Sequence, residues 1–399
     1  MNGQDQEPNQ TPQIPPEVNQ TYIVESETLP EIRIDGEDLD TVPVPPKKRF
    51  SLVKKGPLNK KEKVYFVTAL AAILVTGGGL LWWLNAQPLL EATETANVVP
   101  KVIKKYYSPL NGIEVIDEAA TKRAVTAVMI ENSPEARPQS GLADAEVVFE
   151  AVAEGGITRF IALYQTSQPS LIGPVRSLRP YYADWAAGFD PSVAHVGGSP
   201  EALTMIRSGS YGVDIDQFFN ASSYWRATDR SAPHNVYTSS DKLTALNASK
   251  SKTTSNFTFS PRIDEKKAAT PSASSIAVAV SGGIFNVSYS YDSASNSYQR
   301  AQGGVAHTDR EKGQIAPKAV VVMKTDISLA ADGSHQIIAT TGSGQVYVFQ
   351  NGTVTEGTWS KSGPKDKLYF KDADGKEISL IRGQTWVTTV AKDKTVSWQ

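Results

Sequence analysis

Apolar and polar positions along this chain follow two different spacings, and these spacings predict its elements. Residues 158–165 (TRFIALYQ) carry apolar side chains on both faces of an extended segment, which is typical of a strand covered on both sides. Residues 124–132 predict another strand, and residues 180–190 and 192–209 predict two helices with a strand and a glycine loop between them. Strands mixed with helices indicate an α+β fold, with a mixed α/β layered domain at residues 108–250.

The spacing changes after a polar linker at residues 249–256. Beyond the linker, short runs of alternating apolar and polar residues are joined by Gly, Asn, Asp and Ser turns, and helical spacing disappears. Asn351-Gly352 lies between two such runs and is a strong β-hairpin signal. We therefore predict a second, mainly β domain at residues 257–399.

One apolar run is long enough to cross a lipid bilayer. Residues 64–84 contain no charged side chain, and about 20 helical residues span a hydrocarbon core of about 30 Å. Eight Lys and Arg side chains crowd residues 47–63, directly before the run. The positive-inside rule then keeps residues 1–63 in the cytoplasm and places the remainder outside. We expect a single-pass protein of the cell membrane; a cleaved signal peptide is the rejected alternative, because the run is too long and begins too late.

The segments that flank this run lack the apolar residues that a folded core needs. Residues 1 to about 46 are rich in Pro, Gln, Asn, Glu and Asp, so we predict that residues 1–63 are a disordered cytoplasmic tail with a basic cluster beside the membrane. The acidic run at residues 35–40 is either a solvated tail or a segment that binds a cytoplasmic partner. We expect residues 85–107 to be a polar stalk.

Composition limits the chemistry that the chain can perform. The formal net charge of −2 over 399 residues gives no overall field that favours nucleic acid. The absence of cysteine excludes disulfides, thiolate catalysis, cysteine metal ligands and a lipid anchor on cysteine. The glycine-rich stretches do not match the phosphate-loop or dinucleotide patterns. We therefore expect neither a cofactor nor a nucleic-acid partner.

Three arginines lie in or just after the strand at residues 158–165. Arg159 begins the strand, and Arg176 and Arg179 follow a Gly-Pro turn at a spacing that puts two side chains on one face of a helical turn. A guanidinium is always charged and is costly to bury unpaired. These arginines therefore need either protein carboxylates or an anionic ligand, and both explanations stay open. The carboxylates available nearby are Glu150, Glu154 and Asp184.

Further polar residues follow, and each has a structural alternative. His195 precedes a glycine loop and a helix that Ser199 could cap, and helix N-termini favour anions. The loop at residues 229–235 offers a base with an orienting group, or two metal ligands, but no further ligands at suitable spacing, so we predict no metal site. We expect His307 and His335 to be surface residues. The candidate ligand-binding residues are Arg137, Gln139, Arg159, Arg176, Arg179, His195, Ser199, Asp229, Arg230, His234 and Asn235.

Four longer strings connect the chain to a known family. ARPQSGLADAEVVFEAVAEGGITRFIALYQ, GPVRSLRPYYADWA, HVGGSPEA and RSAPHNVYT occur in this order, and with them residues 105–399 resemble the YerB-like family. The resemblance implies two domains of unknown function, the second of them β-rich, in lipoproteins or secreted proteins without an established activity. This chain departs from the family in lacking the lipobox cysteine, and we expect the membrane helix to replace it.

Two functional hypotheses follow. The first is a non-catalytic binding module of the cell envelope that holds an anionic glycan, a lipid phosphate or a peptide carboxylate. The second is an envelope phosphotransferase or hydrolase that acts on a cell-wall polymer, with a layout loosely similar to that of the LytR–CpsA–Psr phosphotransferases. Catalysis needs a base, or a carboxylate that holds a metal, within hydrogen-bond reach of the arginines, whereas binding does not.

Overall fold

The computed structural model describes residues 104–399 and a few scattered residues between 59 and 82. Nearly all of the predicted disordered tail, about half of the predicted span at residues 64–84 and most of the stalk lie outside the described residues. Among the described residues, no helix is both long enough and apolar enough to cross a membrane.

Residues 104–399 form four α-helices and twenty-five strands, most of the strands short. The helices are α1 (Glu118–Thr121), α2 (Pro180–Ala187), α3 (Pro200–Arg207) and α4 (Ser240–Ser249). The strands up to the linker are β1 (Tyr106–Tyr107), β2 (Glu114–Val115), β3 (Val125–Glu131), β4 (Val147–Glu154), β5 (Ile157–Tyr164), β6 (Pro191–His195), β7 (Val213–Asp216), β8 (Trp225–Arg226) and β9 (Val236–Tyr237). The strands after it are β10 (Arg262–Ile263), β11 (Ser275–Val278), β12 (Val287–Asp292), β13 (Ser297–Gln302), β14 (Val305–Ala306), β15 (Thr308–Asp309), β16 (Gly313–Gln314), β17 (Ala319–Thr325), β18 (Ile327–Leu329), β19 (Gln336–Ile338), β20 (Gly342–Gln350), β21 (Thr353–Lys361), β22 (Tyr369–Asp372), β23 (Leu380–Ile381), β24 (Thr385–Ala391) and β25 (Val396–Trp398).

A ten-stranded sheet runs through this region in the order β22-β21-β20-β17-β24-β4-β5-β3-β6-β7. Its members come in equal numbers from before and after the polar linker. The two groups meet where β4 pairs in parallel with β24, from Val147 opposite Thr385 to Glu150 opposite Thr388. Segments on both sides of the linker therefore build one continuous sheet.

Strands in the middle of this sheet are buried on both faces, as their apolar runs predict. In β17, Val321 and Met323 belong to one core, which the helices α2 and α3 cover, and Phe149 stacks on Trp185 of α2 at 5.7 Å. Val320 belongs to a second core on the opposite face, which a five-stranded antiparallel sheet covers in the order β14-β13-β12-β11-β25. The mixed α/β region and the large mainly β C-terminal region are thus both present.

The Asn351-Gly352 prediction is confirmed. These residues join β20 to β21, with Gln350 opposite Thr353. Both have positive φ, 59° at Asn351 and 78° at Gly352, which a tight two-residue hairpin turn requires.

The sheet brings the carboxyl ends of several strands to one edge. β3, β4, β6 and β7 run in the same direction, because β3–β6 and β6–β7 pair in parallel and β5 is antiparallel to both β3 and β4. Their last residues are Glu131, Glu154, His195 and Asp216. We call this edge of the sheet the carboxyl edge. In open α/β sheets, ligands bind at the carboxyl ends of the strands.

Candidate functional site

Glu131 is the centre of one group of polar side chains at the carboxyl edge. The residue is 4% exposed, and its Oε1 lies 3.2 Å from Arg176 Nε and 3.0 Å from His234 Nδ1. Ser133 Oγ donates a hydrogen bond to the same oxygen at 3.0 Å. The other carboxylate oxygen, Oε2, is buried and has no hydrogen-bond partner among the described residues, so it can still accept a hydrogen bond. We call Glu131, Ser133, Arg176 and His234 the Glu131 centre.

The backbone fixes Arg176 beside Glu131. Glu131 N donates to Pro174 O and Arg176 N donates to Met129 O, both at 2.9 Å, so the segment after the Gly-Pro turn runs alongside the end of β3. At Gly173 a Cβ atom would lie 2.8 Å from the carbonyl oxygen of Val236, and the φ of 152° also disfavours a side chain. Glycine therefore allows this segment to reach the sheet edge.

Arg176 and His234 both keep polar atoms free. About a quarter of the Arg176 side chain is exposed; its Nε makes no hydrogen bond despite the nearby Glu131, and no hydrogen bond is found for its two Nη atoms within residues 104–399. His234 Nδ1 faces a carboxylate, which only accepts, so this nitrogen carries the proton, and Nε2 has no partner within the same residues. Ser133 Oγ lies 3.2 Å from that same Nδ1, so serine and carboxylate do not sit on opposite ring nitrogens as in a catalytic triad.

Glu154 is the partner of the other two arginines. Arg159 Nη2 donates to Glu154 Oε2 at 2.5 Å, and Arg179 Nη2 pairs with Oε1. Each arginine also donates to a backbone carbonyl. Arg159 donates to Ser177 O at 3.1 Å, and Arg179 donates to Leu178 O at 2.7 Å. Burial and the neighbouring Arg159 guanidinium hold the pKa of Arg179 below its ordinary value. A protein carboxylate, one of those expected from the sequence, thus accounts for both of these arginines.

The Glu154 pairs and the Glu131 centre are neighbours. Glu131 and Arg159 are opposite each other in the antiparallel β3–β5 pair, so their side chains leave the same face of the sheet. Arg176 approaches Glu131 on this face, and Arg179 shares Glu154 with Arg159. Three guanidinium groups therefore face two carboxylates, which leaves one positive charge in excess at this part of the edge.

His195 and Ser199 lie at the same edge but do not join the arginines. The His195 ring is fully buried, with Nδ1 2.8 Å from Gly197 O and Nε2 3.1 Å from Asp214 Oδ1. Burial raises the pKa of Asp214, but the hydrogen bond and charge of His195 outweigh it, and the net pKa is lowered. Ser199 Oγ accepts from Ala202 N at 3.3 Å and caps α3, as predicted. Both side chains have structural partners.

The loop at residues 229–235 contributes only His234 to the Glu131 centre. Asn235 is buried, accepts from Arg226 at 2.7 Å and holds the loop together through the carbonyls of Ala227 and Arg230. Arg230 donates to Pro138 O at 2.5 Å. Asp229 pairs with Arg310 at 2.6 Å in a separate surface groove. The structure thus places the candidate ligand-binding residues in several separate groups.

Arg137 and Gln139 belong to a buried polar network behind the carboxyl edge. Arg137 Nε donates to Asn132 Oδ1 at 3.1 Å, and its guanidinium lies 5.2 Å from the centre of the Phe285 ring. Gln139 is fully buried and donates to Asn132 Oδ1 at 3.0 Å and to Glu131 O at 2.9 Å. The network therefore reaches the backbone of the Glu131 centre.

A buried ion pair, Glu150 with Arg300, is the core of this network. Arg300 Nη2 lies 2.9 and 2.8 Å from the two Glu150 oxygens, and Trp386 Nε1 donates to Glu150 at 2.9 Å. Arg300 Nη1 donates to His307 Nδ1, so the ring proton is on Nε2, which donates to Gln139 Oε1 at 3.0 Å. This chain of donors fixes the tautomer of His307 and the orientation of the Gln139 amide.

The expectation that His307 is a surface residue is wrong. The residue is 4% exposed, and burial together with the charges of Arg300 and Arg137 holds the pKa of His307 well below its ordinary value. The sequence did contain a signal for the network. Tyr298, Arg300 and Gln302 alternate along β13 and are all buried, so Arg300 occupies a core-facing position of a strand.

Among the described residues, no group of three or more His, Asp and Glu side chains has an arrangement that could hold a metal ion. Glu131 and His234 supply two potential ligands. The chemistry open to the Glu131 centre is therefore the binding of an anion by Arg176 and proton transfer at the free nitrogen of His234.

Comparison with known proteins identifies the family. Residues 110–255 match the N-terminal domain, and residues 276–387 the C-terminal domain, of the family described as protein of unknown function DUF3048. YerB of Bacillus subtilis (strain 168), named as a proposed lipoprotein, is 34% identical over 307 residues, which cover 76% of this chain and 91% of the relative. A crystal structure of Bacillus subtilis YerB has a TM-score of 0.65 and 31% identity, and the match covers 73% of this chain and all of that chain. On these grounds the chain belongs to the YerB-like family of DUF3048 proteins.

Proposed function

We propose that this chain is a membrane-anchored protein of the cell envelope whose folded region lies outside the cytoplasm and binds an anionic ligand. The lipoprotein assignment of the YerB relative supports a place at the outer side of the membrane. The apolar run at residues 64–84, with basic residues before it, supports anchoring through one helix with residues 1–63 in the cytoplasm. The acidic run at residues 35–40 is then available to a cytoplasmic partner.

The state of Arg176 is the observation that carries the binding proposal. Its Nε lies 3.2 Å from Glu131 Oε1 without a hydrogen bond, and neither Nη atom has a hydrogen-bond partner within residues 104–399. A guanidinium presents a planar fork that matches the paired oxygens of a phosphate or carboxylate. The excess positive charge beside Arg159 and Arg179 adds to the attraction. The ligand is therefore a phosphate or carboxylate group carried by a glycan, a lipid or a peptide.

Calorimetric titration of the full-length protein in detergent tests the ligand class. The probes are an oligomer of glycerol phosphate and a peptide with a free C-terminal carboxylate, each with an uncharged counterpart: polyglycerol of equal length and the peptide amide. We expect saturable binding of at least one charged probe that weakens as salt is added, and none of the uncharged counterparts. Equal binding of charged and uncharged members of both pairs, or binding of no probe, would contradict the proposal.

A hydrolase or phosphotransferase acting on a cell-wall polymer is the second candidate, and the Glu131–His234 pair favours it. The carboxylate accepts the Nδ1 proton and orients the ring, which leaves Nε2 to act as a general base on a water or hydroxyl. Arg176 would hold the anionic group of the substrate beside it. Mass spectrometry of the incubated probes separates the two functions: released products that disappear in His234→Gln and Glu131→Gln indicate an enzyme, and binding without products indicates a module.

A further inference from the structure

One loop, at residues 165–172, lines three adjoining surface cavities that lie apart from the Glu131 centre. The first, of about 470 Å³, lies against Trp225. The second, of about 280 Å³, shares Leu171 and Glu311 with the first. The third, of about 360 Å³, shares Gln168 with the second and extends to α4. Because neighbouring cavities share wall residues, the three lie in a row along one surface, and we call this row the side groove.

Backbone hydrogen bonds hold the walls of the side groove in place. Ile172 and Thr238 exchange two of them, at 2.9 and 3.0 Å, and Ser240 N donates to Pro169 O at 3.0 Å, which joins the loop to α4. On the other side, the buried carboxylate of Asp309 accepts from the backbone N–H groups of a turn, among them Glu311 N at 3.0 Å. The groove is therefore a built surface between ordered elements.

One end of the side groove presents an aromatic ring. Trp225 and Tyr237 are opposite each other in the antiparallel β8–β9 pair, so their side chains lie on the same face, and both line the first cavity. Trp225 is 36% exposed. An indole fixed on a strand offers solvent a flat apolar surface beside the polar side chains of the rim, Arg226 and Asp229.

The other end of the side groove has unused hydrogen-bonding capacity. Gln165 Oε1, Ser240 Oγ and Asn247 Oδ1 lie beneath its wall without a hydrogen-bond partner, in residues that are 1%, 6% and 4% exposed. Gln165 Nε2 donates to the carbonyls of Thr121 and Arg123, so the free atom of this amide is the acceptor. Buried polar atoms are rarely left unpaired, and these three fit a ligand that brings hydroxyl groups.

Charges of both signs line the middle of the side groove. The second cavity is lined by Asp144, Glu311 and Lys312, and Arg310 lines the first cavity. A ligand of one uniform charge would meet repulsion along this stretch. A chain of hydroxyl groups can donate to the carboxylates and accept from the cations, so it fits every part of the wall.

From the elongated shape, the aromatic end and the unpaired amide and hydroxyl atoms, we infer that the side groove binds a linear saccharide chain. The Trp225 ring stacks on the apolar face of one sugar, and the groups beneath the α4 end take up hydroxyl groups of another. None of the residues that line the groove is Glu131, Arg176 or His234. This inference is therefore independent of the anionic ligand proposed above.

Titration of the full-length protein with oligomers of N-acetylglucosamine tests the inference. We expect the affinity to rise from the disaccharide to the hexasaccharide, because longer chains occupy successive cavities. Trp225→Ala should weaken hexasaccharide binding by about tenfold or more, the scale of removing an aromatic anchor from an interface. Gln168→Ala, an exposed change in the middle of the groove, should weaken the hexasaccharide more than the disaccharide.

Two variants serve as controls. Phe218→Ala removes an exposed aromatic ring (69% exposed) that does not line the groove and should leave the affinity unchanged. Arg176→Ala should also bind the hexasaccharide normally, which separates this site from the Glu131 centre. Absence of saturable hexasaccharide binding, an affinity that does not depend on chain length, or equal affinities of Trp225→Ala and Phe218→Ala would overturn the inference.

Discussion

At the residue scale, the three arginines of the carboxyl edge differ in how completely the protein satisfies them. Arg159 and Arg179 each contact an oxygen of Glu154 and a backbone carbonyl. Arg176 makes one ion pair, with Glu131, and its outer nitrogens remain available. Arg159 and Arg179 therefore hold the sheet edge to the segment that follows the Gly-Pro turn, and Arg176 is the arginine that we assign to a ligand.

Replacing Arg179 with alanine is expected to lower the free energy of unfolding by about 1–3 kcal/mol, because one oxygen of the mostly buried Glu154 loses its partner. Denaturation of the full-length protein in urea measures the effect. Lys392→Ala, which breaks an exposed pair with Asp326, should change the same quantity by about 0–1 kcal/mol. Equal unfolding free energies for Arg179→Ala and the parent would show that Arg179 has no structural role.

His307 predicts how stability depends on pH. The unfolded chain takes up a proton on this ring near the ordinary pKa of about 6.5, whereas in the folded protein burial, Arg300 and Arg137 hold the pKa of His307 well below that value. Below about pH 6.5 the unfolded state therefore binds more protons, and the free energy of unfolding falls as pH falls. One such proton contributes a slope of up to about 1.4 kcal/mol per pH unit.

The variant His307→Asn isolates this contribution, because its amide oxygen can accept from Arg300 but the side chain does not titrate. The stability difference between parent and variant should shrink as the pH is lowered from about 7.5 to about 5. His335→Asn, at an exposed site, should retain the fall that the parent shows. A difference that stays constant over this range would rule out the buried, neutral His307.

The sequence predicts the position of these side chains better than it predicts their partners. Arg159 at the start of a strand, and Arg176 after a Gly-Pro turn, could be placed because strand and turn signals are local. The Glu150–Arg300 pair joins residues 150 positions apart, and no local pattern encodes such a pairing. For the same reason the sequence does not show that His307 is buried, or that Asp229 lies in a separate groove.

At the element scale, strand pairing explains why the polar linker does not separate the structure into two parts. Residues 249–256 lie against β3, with Ala124 N donating to Thr253 O at 3.0 Å and Val125 N donating to Ser255 Oγ at 2.9 Å. The loss of helical spacing after the linker predicted the β-rich region correctly. The parallel pairing of β4 with β24 was not predictable, because apolar runs show that a strand is buried but not which strand lies beside it.

Limited proteolysis of the full-length protein tests this arrangement. We expect the first cuts before residue 104 and a resistant fragment that contains both family segments, because the linker backbone is hydrogen bonded to a buried strand. Accessible linkers of similar polarity are normally cut early. Early cleavage between residues 249 and 256, with release of two stable fragments, would contradict the shared sheet.

At the scale of the whole molecule, the chain has a family fold, and the membrane attachment that we propose differs from a lipid anchor. The chain belongs to the YerB-like family but contains no cysteine that could carry a lipid. The apolar run at residues 64–84 is the segment we propose for anchoring, and under that proposal the carboxyl edge and the side groove lie outside the cytoplasm.

Reporter fusions test this topology. A reporter active only in the cytoplasm should work when it is fused at residue 50 and fail when it is fused at residue 399, because the basic cluster keeps the N-terminal segment inside. A reporter active only outside should give the opposite result. A working cytoplasmic reporter at residue 399 would reverse the assigned orientation.

The most direct test of the central claim pairs stability with affinity in one arginine variant. In Arg176→Ala, binding of the charged probe that the parent takes up should weaken by about 1.5–3 kcal/mol, the contribution of a charge-assisted hydrogen bond. The melting temperature should fall less than that of Arg179→Ala, because Ser133 and His234 still contact Glu131 Oε1 when the Arg176 guanidinium is removed. Lys392→Ala, which removes the same charge elsewhere, controls for net charge. A lower melting temperature with unchanged affinity would mean that Arg176 is structural and would contradict the ligand site.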